Sequence, residues 1–184
     1  MAKVYEFLAD GFEEVEGMGP VDVLRRGGVD VKTVSVTGSE MVSTPHGVTV
    51  KADMLFEDAD FSDADLLMLP GGMPGSATLD MHEGLHTVLA AHNSAGKLIG
   101  AICAAPMVLG RMGLLKARRA TCYPGFDKYL EGAEYTSELV TVDGNIVTGK
   151  GPAATLPYAY RLLEMLEGAE KSREVAEGMG FFWR

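Results

Sequence analysis

The chain is poor in cysteine: Cys103 and Cys122 are the only two in 184 residues. Two thiols give no disulfide framework. The expected compartment is therefore the cytoplasm, where free thiols persist. Basic residues are scarce as well. Sixteen Lys and Arg face 26 Asp and Glu, for a net charge of −10. That balance argues against nucleic acid or an anionic membrane surface as a partner, because both reward clustered positive charge. No apolar run approaches ~18 residues, so no transmembrane helix is expected. The opening M-A-K-V-Y-E-F-L-A-D is interrupted by Glu6 and reads as a first strand, not a signal peptide. All four histidines, His46, His82, His86 and His92, precede Cys103. A cysteine–histidine dyad with a downstream base is thus missing.

What is present suits a packed core. Hydrophobic residues make up 47% of the chain, enough to fill one domain over residues 1–184. Short β-rich runs alternate with helical ones. Val4–Ala9, Val29–Val36, Asp65–Gly72 and Lys97–Cys103 read as strands. Ala117–Tyr123 reads as another, and Glu138–Gly149 as a hairpin turning at Asp143-Gly144-Asn145. A short edge strand or hairpin is expected around Val48–Val50. Asp10 to Glu13 has capping-box spacing, so a helix is expected from there to about Arg26, interrupted or kinked at Pro20. Further helices are expected over Asp80–Ser94, Ala104–Met112, Pro152–Leu166 and Ala169–Glu177. This alternation predicts an α/β sandwich with a mostly parallel central sheet. The aromatic tail Gly180–Arg184 has two candidate docking places, the body or a partner subunit.

One motif misleads. His82-Glu83-Gly84-Leu85-His86 fits H-E-x-x-H, the helical zinc pattern, and His92 falls where a third ligand could stand. Leu89 occupies the place where that pattern needs a chain-turning glycine. In a continuous helix His92 lies ~15 Å along the axis from His82, at ~1.5 Å per residue. One ion cannot reach both with bonds of ~2 Å. An amphipathic cover helix is the better reading, and no metal site is expected.

Cys103 is the residue of interest. It stands at the carboxyl end of an apolar strand and directly before a predicted helix, where α/β sheets place ligands. A buried free cysteine usually packs as a small hydrophobe. Here its neighbours Ala101 and Ala105 are small, as in a nucleophile elbow, and a helix N-terminus favours a thiolate. Gly71-Gly72 ends the neighbouring strand and, with the Ala104 N–H, could cradle an oxyanion. Read alone, it is an ordinary turn. Glu16 falls beside the apolar face of the first helix. Held against the sheet, its carboxyl would stay protonated and could donate to the sulfur. Cys122 is either a small buried strand residue or a resolving thiol for Cys103.

The segments D-G-F-E-E-V-E, D-L-L-M-L-P-G-G, G-A-I-C-A-A-P and T-G-K-G-P-A, in this order, resemble the ThiJ/PfpI superfamily, in its DJ-1-like branch. The resemblance implies a flavodoxin-like three-layer sandwich and a homodimer. It implies that Cys103 is the reactive cysteine at the elbow, that Glu16 is its protonated partner, and that Gly72 and Ala104 supply N–H groups. It implies cofactor-independent glyoxalase or deglycase chemistry on small reactive carbonyls. Redox sensing or chaperone-like holding through Cys103 is the alternative. Amidase, protease and thiazole-biosynthesis readings also occur in the superfamily, but the absent downstream imidazole counts against the first two. Tyr123 stands where many relatives carry a histidine and could bind a substrate oxygen or be a plain edge tyrosine. His46 stands where relatives place a residue reaching the partner's site, or is a simple turn histidine.

Overall fold

The structure is a computed structural model that describes residues 1–181. Its strands and helices, in chain order, are β1 (Lys3–Leu8), α1 (Glu14–Arg26), β2 (Asp30–Ser35), β3 (Met41–Ser43), β4 (Thr49–Lys51), β5 (Met54–Leu55), β6 (Leu66–Leu69), α2 (Gly75–Met81), α3 (Glu83–Ser94), β7 (Leu98–Ile102) and α4 (Pro106–Arg111). β8 (Arg119–Ala120), β9 (Glu134–Tyr135), β10 (Val140–Asp143), β11 (Ile146–Gly149), α5 (Thr155–Glu167) and α6 (Ala169–Gly178) follow.

The main sheet has the order β10-β11-β7-β6-β1-β2-β5. Every pairing in it is parallel except β10 with β11, which is the expected hairpin. A parallel sheet is buried on both faces, which is why its strands read as unbroken apolar runs. In β6, Leu66 and Met68 face one helical layer while Leu67 and Leu69 face the other. The first layer brings Leu24 of α1, with Tyr158, Leu162 and Leu163 of α5. The second brings Leu79 of α2, Leu85 and Leu89 of α3, and Met107 to Leu109 of α4. Each of these buried side chains contributes on the order of 2 kcal/mol of hydrophobic stabilisation. The sandwich is the flavodoxin-like architecture expected from the sequence.

Three local expectations are corrected. Asp10 does not cap α1. Gly11 adopts a left-handed turn (φ 84°) packed against Pro74, and the Glu13 N–H is held by the Gly71 carbonyl. The helix therefore begins later, with Glu13 as its N-cap, accepting from the Glu16 N–H at 2.8 Å. Asp10 instead accepts from the Ser43 N–H. The single helix expected over Asp80–Ser94 is two. His82 takes an extended backbone, packs its ring on Phe56, and caps α3 by accepting from the Leu85 N–H. The strand expected over Ala117–Tyr123 shrinks to Arg119–Ala120, because Ala117 is left-handed (φ 57°) and the Thr121 N–H pairs with the Thr148 hydroxyl. α1 runs through Pro20 as one helix. Of the tail, Phe181 packs against Tyr160 in a tilted pair with ring centroids 5.0 Å apart. Phe182 to Arg184 lie outside the described residues.

No helix among the described residues is long and apolar enough to cross a membrane.

Candidate active site

β7, β6 and β1 are adjacent in the sheet. The loops at their carboxyl ends therefore converge, and each brings one part of the site. Cys103 directly follows β7, Gly71 and Gly72 follow β6, and the turn after β1 leads into Glu16 on α1.

Cys103 sits in the left-handed region at φ 64°. A non-glycine residue there stores on the order of 1–3 kcal/mol of backbone strain, held by its surroundings. Two hydrogen bonds hold it. Its N–H donates to the Gly149 carbonyl at 2.9 Å, and its carbonyl accepts from the Tyr123 N–H at 2.8 Å. The small neighbours Ala101, Ala104 and Ala105 let the chain turn this sharply while almost fully buried. The sulfur is nearly enclosed, with the residue 8% exposed, and the backbone N–H groups of Gly72 and Ala104 are directed at it.

Glu16 is fully buried against the sulfur. The space between them belongs to Gly71. A Cβ placed there would come 2.4 Å from Glu16 Oε2, 2.4 Å from Cys103 Cβ and 3.0 Å from Cys103 Sγ. Next door, Gly72 is left-handed (φ 90°), and its missing Cβ would strike the Glu13 nitrogen at 2.4 Å. The P-G-G turn is thus shaped by two close approaches. The Cys103 thiol and the Gly71 N–H are the groups beside the Glu16 carboxyl, and neither makes a well-aligned hydrogen bond with it.

Burial pushes the Glu16 carboxyl up to about 7, aided by the charge of Glu13 and opposed by Cys103 and Gly71. The thiol also moves up. Burial is the main cause, followed by the Glu16 charge, while the Gly72 and Ala104 amides pull the other way. The Ala104 amide at the entrance to the helix favours the thiolate, and burial outweighs it. α4 begins only at Pro106 and has six residues, so its dipole is weak at the sulfur. Sulfur and carboxyl therefore titrate as one coupled pair, the charge on either disfavouring charge on the other.

The remaining candidates lie further out. Tyr123 is 46% exposed, its ring set near Gly151. It borders an apolar cavity of about 220 Å³ that also touches Pro124, Leu139, Pro152 and Ala153. His46 is exposed, its Nδ1 2.8 Å from Glu14 Oε1, and that carboxylate raises its pKa. Ligand atoms of Glu13, Glu14 and His46 lie within 4.8 Å of one another. Cys122 is fully buried, its thiol pushed up to about 12 by burial and then by Asp127. In the three-histidine string, His82 serves as a cap and His92 Nε2 meets the Leu98 carbonyl at 2.9 Å. Sequence reasoning takes two of Glu13, Glu14 and Glu16 as solvated or capping without singling out Glu13, whose cap fixes the first turn of α1 and so aims Glu16. It misses the steric role of Gly71.

The chain matches the DJ-1/PfpI family over residues 2–165. It belongs to that family. It is 42% identical to Protein DJ-1 homolog B of Arabidopsis thaliana over 95% of this chain and 40% of that protein. It spans less than half the length of the Arabidopsis DJ-1 homologs A and B. It is 34% identical to the glutathione-independent glyoxalase DJR-1.2 of Caenorhabditis elegans, over 89% of this chain and 87% of that one. Two solved structures superpose along their whole length, each with a TM-score of 0.95. One is a cysteine-to-alanine mutant of a DJ-1 superfamily protein from Salmonella typhimurium, 37% identical. The other is oxidised DJ-1 of Toxoplasma gondii, 35% identical. These relatives agree with the DJ-1-like branch that the motifs resemble.

Proposed function

We propose that this DJ-1-like protein converts small 2-oxoaldehydes to 2-hydroxy acids with its own side chains, without an organic cofactor. The observation that carries the reading is the strained Cys103 facing a buried carboxyl across the missing side chain of Gly71. The name and identity of DJR-1.2 support it. Near neutral pH about half of the pairs have shed one proton, most of them from Glu16, and the minor tautomer with thiolate and neutral Glu16 is the nucleophile. The sulfur adds to the aldehyde carbon, and the Gly72 and Ala104 amides hold the alkoxide that forms. Glu16 then gives its proton to that oxygen, and the carboxylate that remains moves the C1 proton to C2 through an enediol, which leaves a thioester of the 2-hydroxy acid. Water cleaves the thioester, releases the acid and frees the thiol. The apolar cavity beside Tyr123 has room for a small substituent on the substrate, and the phenol can hold its oxygen. A homodimer belongs to the same reading, with Val15, half-exposed on the first turn of α1, as apolar surface beside the site. Purified protein given methylglyoxal should form lactate, and Cys103→Ser should not. Equal lactate from both rejects the enzyme.

The oxidised Toxoplasma neighbour favours a second use of the same pair, redox sensing. Peroxide would take Cys103 to sulfenic and then sulfinic acid, with Glu16 donating a hydrogen bond to the product.

A further inference from the structure

The reaction above leaves one buried acid unused. Glu6 lies in the middle of β1 and is 1% exposed. It shares a face with Val4, the face covered by α1 and α5. Across the sheet its row continues through Met68 of β6 to Gly100 of β7. Tyr158 of α5 lowers its hydroxyl onto that row. A Cβ at Gly100 would come 2.3 Å from the Tyr158 oxygen, so the glycine makes room for the phenol. Glu6 Oε2 and the Tyr158 hydroxyl are both buried without a hydrogen-bond partner among the described residues, as is the Thr155 hydroxyl one helical turn earlier on α5. Buried polar atoms are rarely left alone; their natural partners are one another or a bridging water.

We propose that Glu6 and Tyr158 form an inner acid–phenol pair that supports Glu16 from behind, so that Cys103 reactivity depends on a carboxyl two strands away from β7. The proposal rests on the reading of Cys103 and Glu16 as the reactive pair. Neutral Glu6 donates to the phenol oxygen. The phenol donates toward Glu16 through one bound water, and so stabilises the negative charge of the Cys103–Glu16 pair. The groups facing Glu6 fit this. Arg25, the cation from α1, is already committed to Asp53 at 2.7 Å and to the Val31 carbonyl. Thr33, beside Glu6 on β2, is likewise bound to Asp53. Burial keeps Glu6 neutral, and the charges of Glu6 and Glu16 both act on Tyr158. Glu6 is a positioning residue here, acting through the phenol and not on the substrate.

The test is the pH profile of Cys103 alkylation by iodoacetamide, read by intact mass. Tyr158→Phe and Glu6→Val should each raise the midpoint by about half a pH unit, the size of one lost hydrogen bond. Glu6→Gln keeps a neutral donor and should stay within about 0.2 pH unit of the parent. In the double variant the two effects should not add. Unchanged midpoints in Tyr158→Phe and Glu6→Val, with a clear change in Glu16→Leu, overturn this inference and leave the reactive pair standing. No change in Glu16→Leu overturns both. If Glu6→Gln moves as far as Glu6→Val, the effect is packing and the proposal fails. Should Glu6→Val not fold, the contrast between Tyr158→Phe and Glu6→Gln decides alone.

Discussion

The carboxyl of Glu16 and the sulfur of Cys103 approach one point from two elements, and the side chain that Gly71 lacks keeps that point open. Glu16 comes from the first turn of α1, aimed by the Glu13 cap. Cys103 comes from the turn after β7 in a backbone conformation few residues accept. The contact is sensitive to one methyl group at the glycine between them.

Gly71→Ala should therefore damage the site more than the fold. The new methyl overlaps Glu16 Oε2 and Cys103 Cβ, and overpacking of this kind costs about 1–3 kcal/mol. Cys103 alkylation and methylglyoxal turnover should each fall at least about tenfold, the equivalent of ~1.4 kcal/mol in the transition state. Thermal melting alongside both assays checks that the domain remains folded.

The Glu16 carboxyl also sets a pH dependence of stability. Its folded pKa is about 7, above the ordinary 4.5. A raised carboxyl stabilises the fold below the unfolded value, and that support is lost as pH rises through the folded one. From pH ~4.5 to ~7 the parent should lose about 3 kcal/mol relative to Glu16→Gln, because each pH unit between the two values is worth ~1.36 kcal/mol. Urea melts of both proteins across that range measure the difference. Parallel curves would mean that the carboxyl is not held neutral.

Oxidation should discriminate between the thiols. Mild peroxide should add two oxygens to Cys103 and leave the fully buried Cys122 unchanged. In Glu16→Leu the sulfinic product loses its hydrogen-bond partner and should not accumulate. Peptide mapping of the two proteins reads this out, and equal oxidation of both cysteines would count against the sensing role.

Much of this was legible in the residues. β6 and β7 announce themselves as continuous apolar runs because a parallel sheet buries both faces. The position of Cys103 at a strand end follows from the small residues around it. Glu16 was harder, since Glu13, Glu14 and Glu16 stand together and periodicity only places Glu16 beside the apolar face. What separates them is tertiary: Glu13 caps, Glu14 meets His46, and Glu16 turns inward. The delayed start of α1 and the break at His82 depend on contacts with Gly71, Pro74 and Phe56, which lie far from them in sequence. Glu6, one charge within an apolar strand, was visible as an interruption. Its meaning needed the phenol that α5 brings to it.

Tyr123→Phe removes only a half-exposed hydroxyl and should leave the melting temperature unchanged. If the phenol holds the substrate oxygen, kcat/KM for methylglyoxal should fall about 3- to 10-fold, the range of one neutral hydrogen bond. An unaltered kcat/KM assigns the side chain to the cavity wall alone.

The coupling of sulfur and carboxyl is tested most directly by the rate of Cys103 alkylation from pH 5 to 10, in the parent and in Glu16→Leu. The pair should lose its first proton near the Glu16 value of about 7, and the parent rate should rise with that midpoint. In Glu16→Leu burial acts on the thiol without a partner to share the proton, so the midpoint should move above the ~8.5 of free cysteine. A parent midpoint at or above that of free cysteine, unmoved by the loss of Glu16, would mean that the two groups share no proton and that the sulfur is not poised.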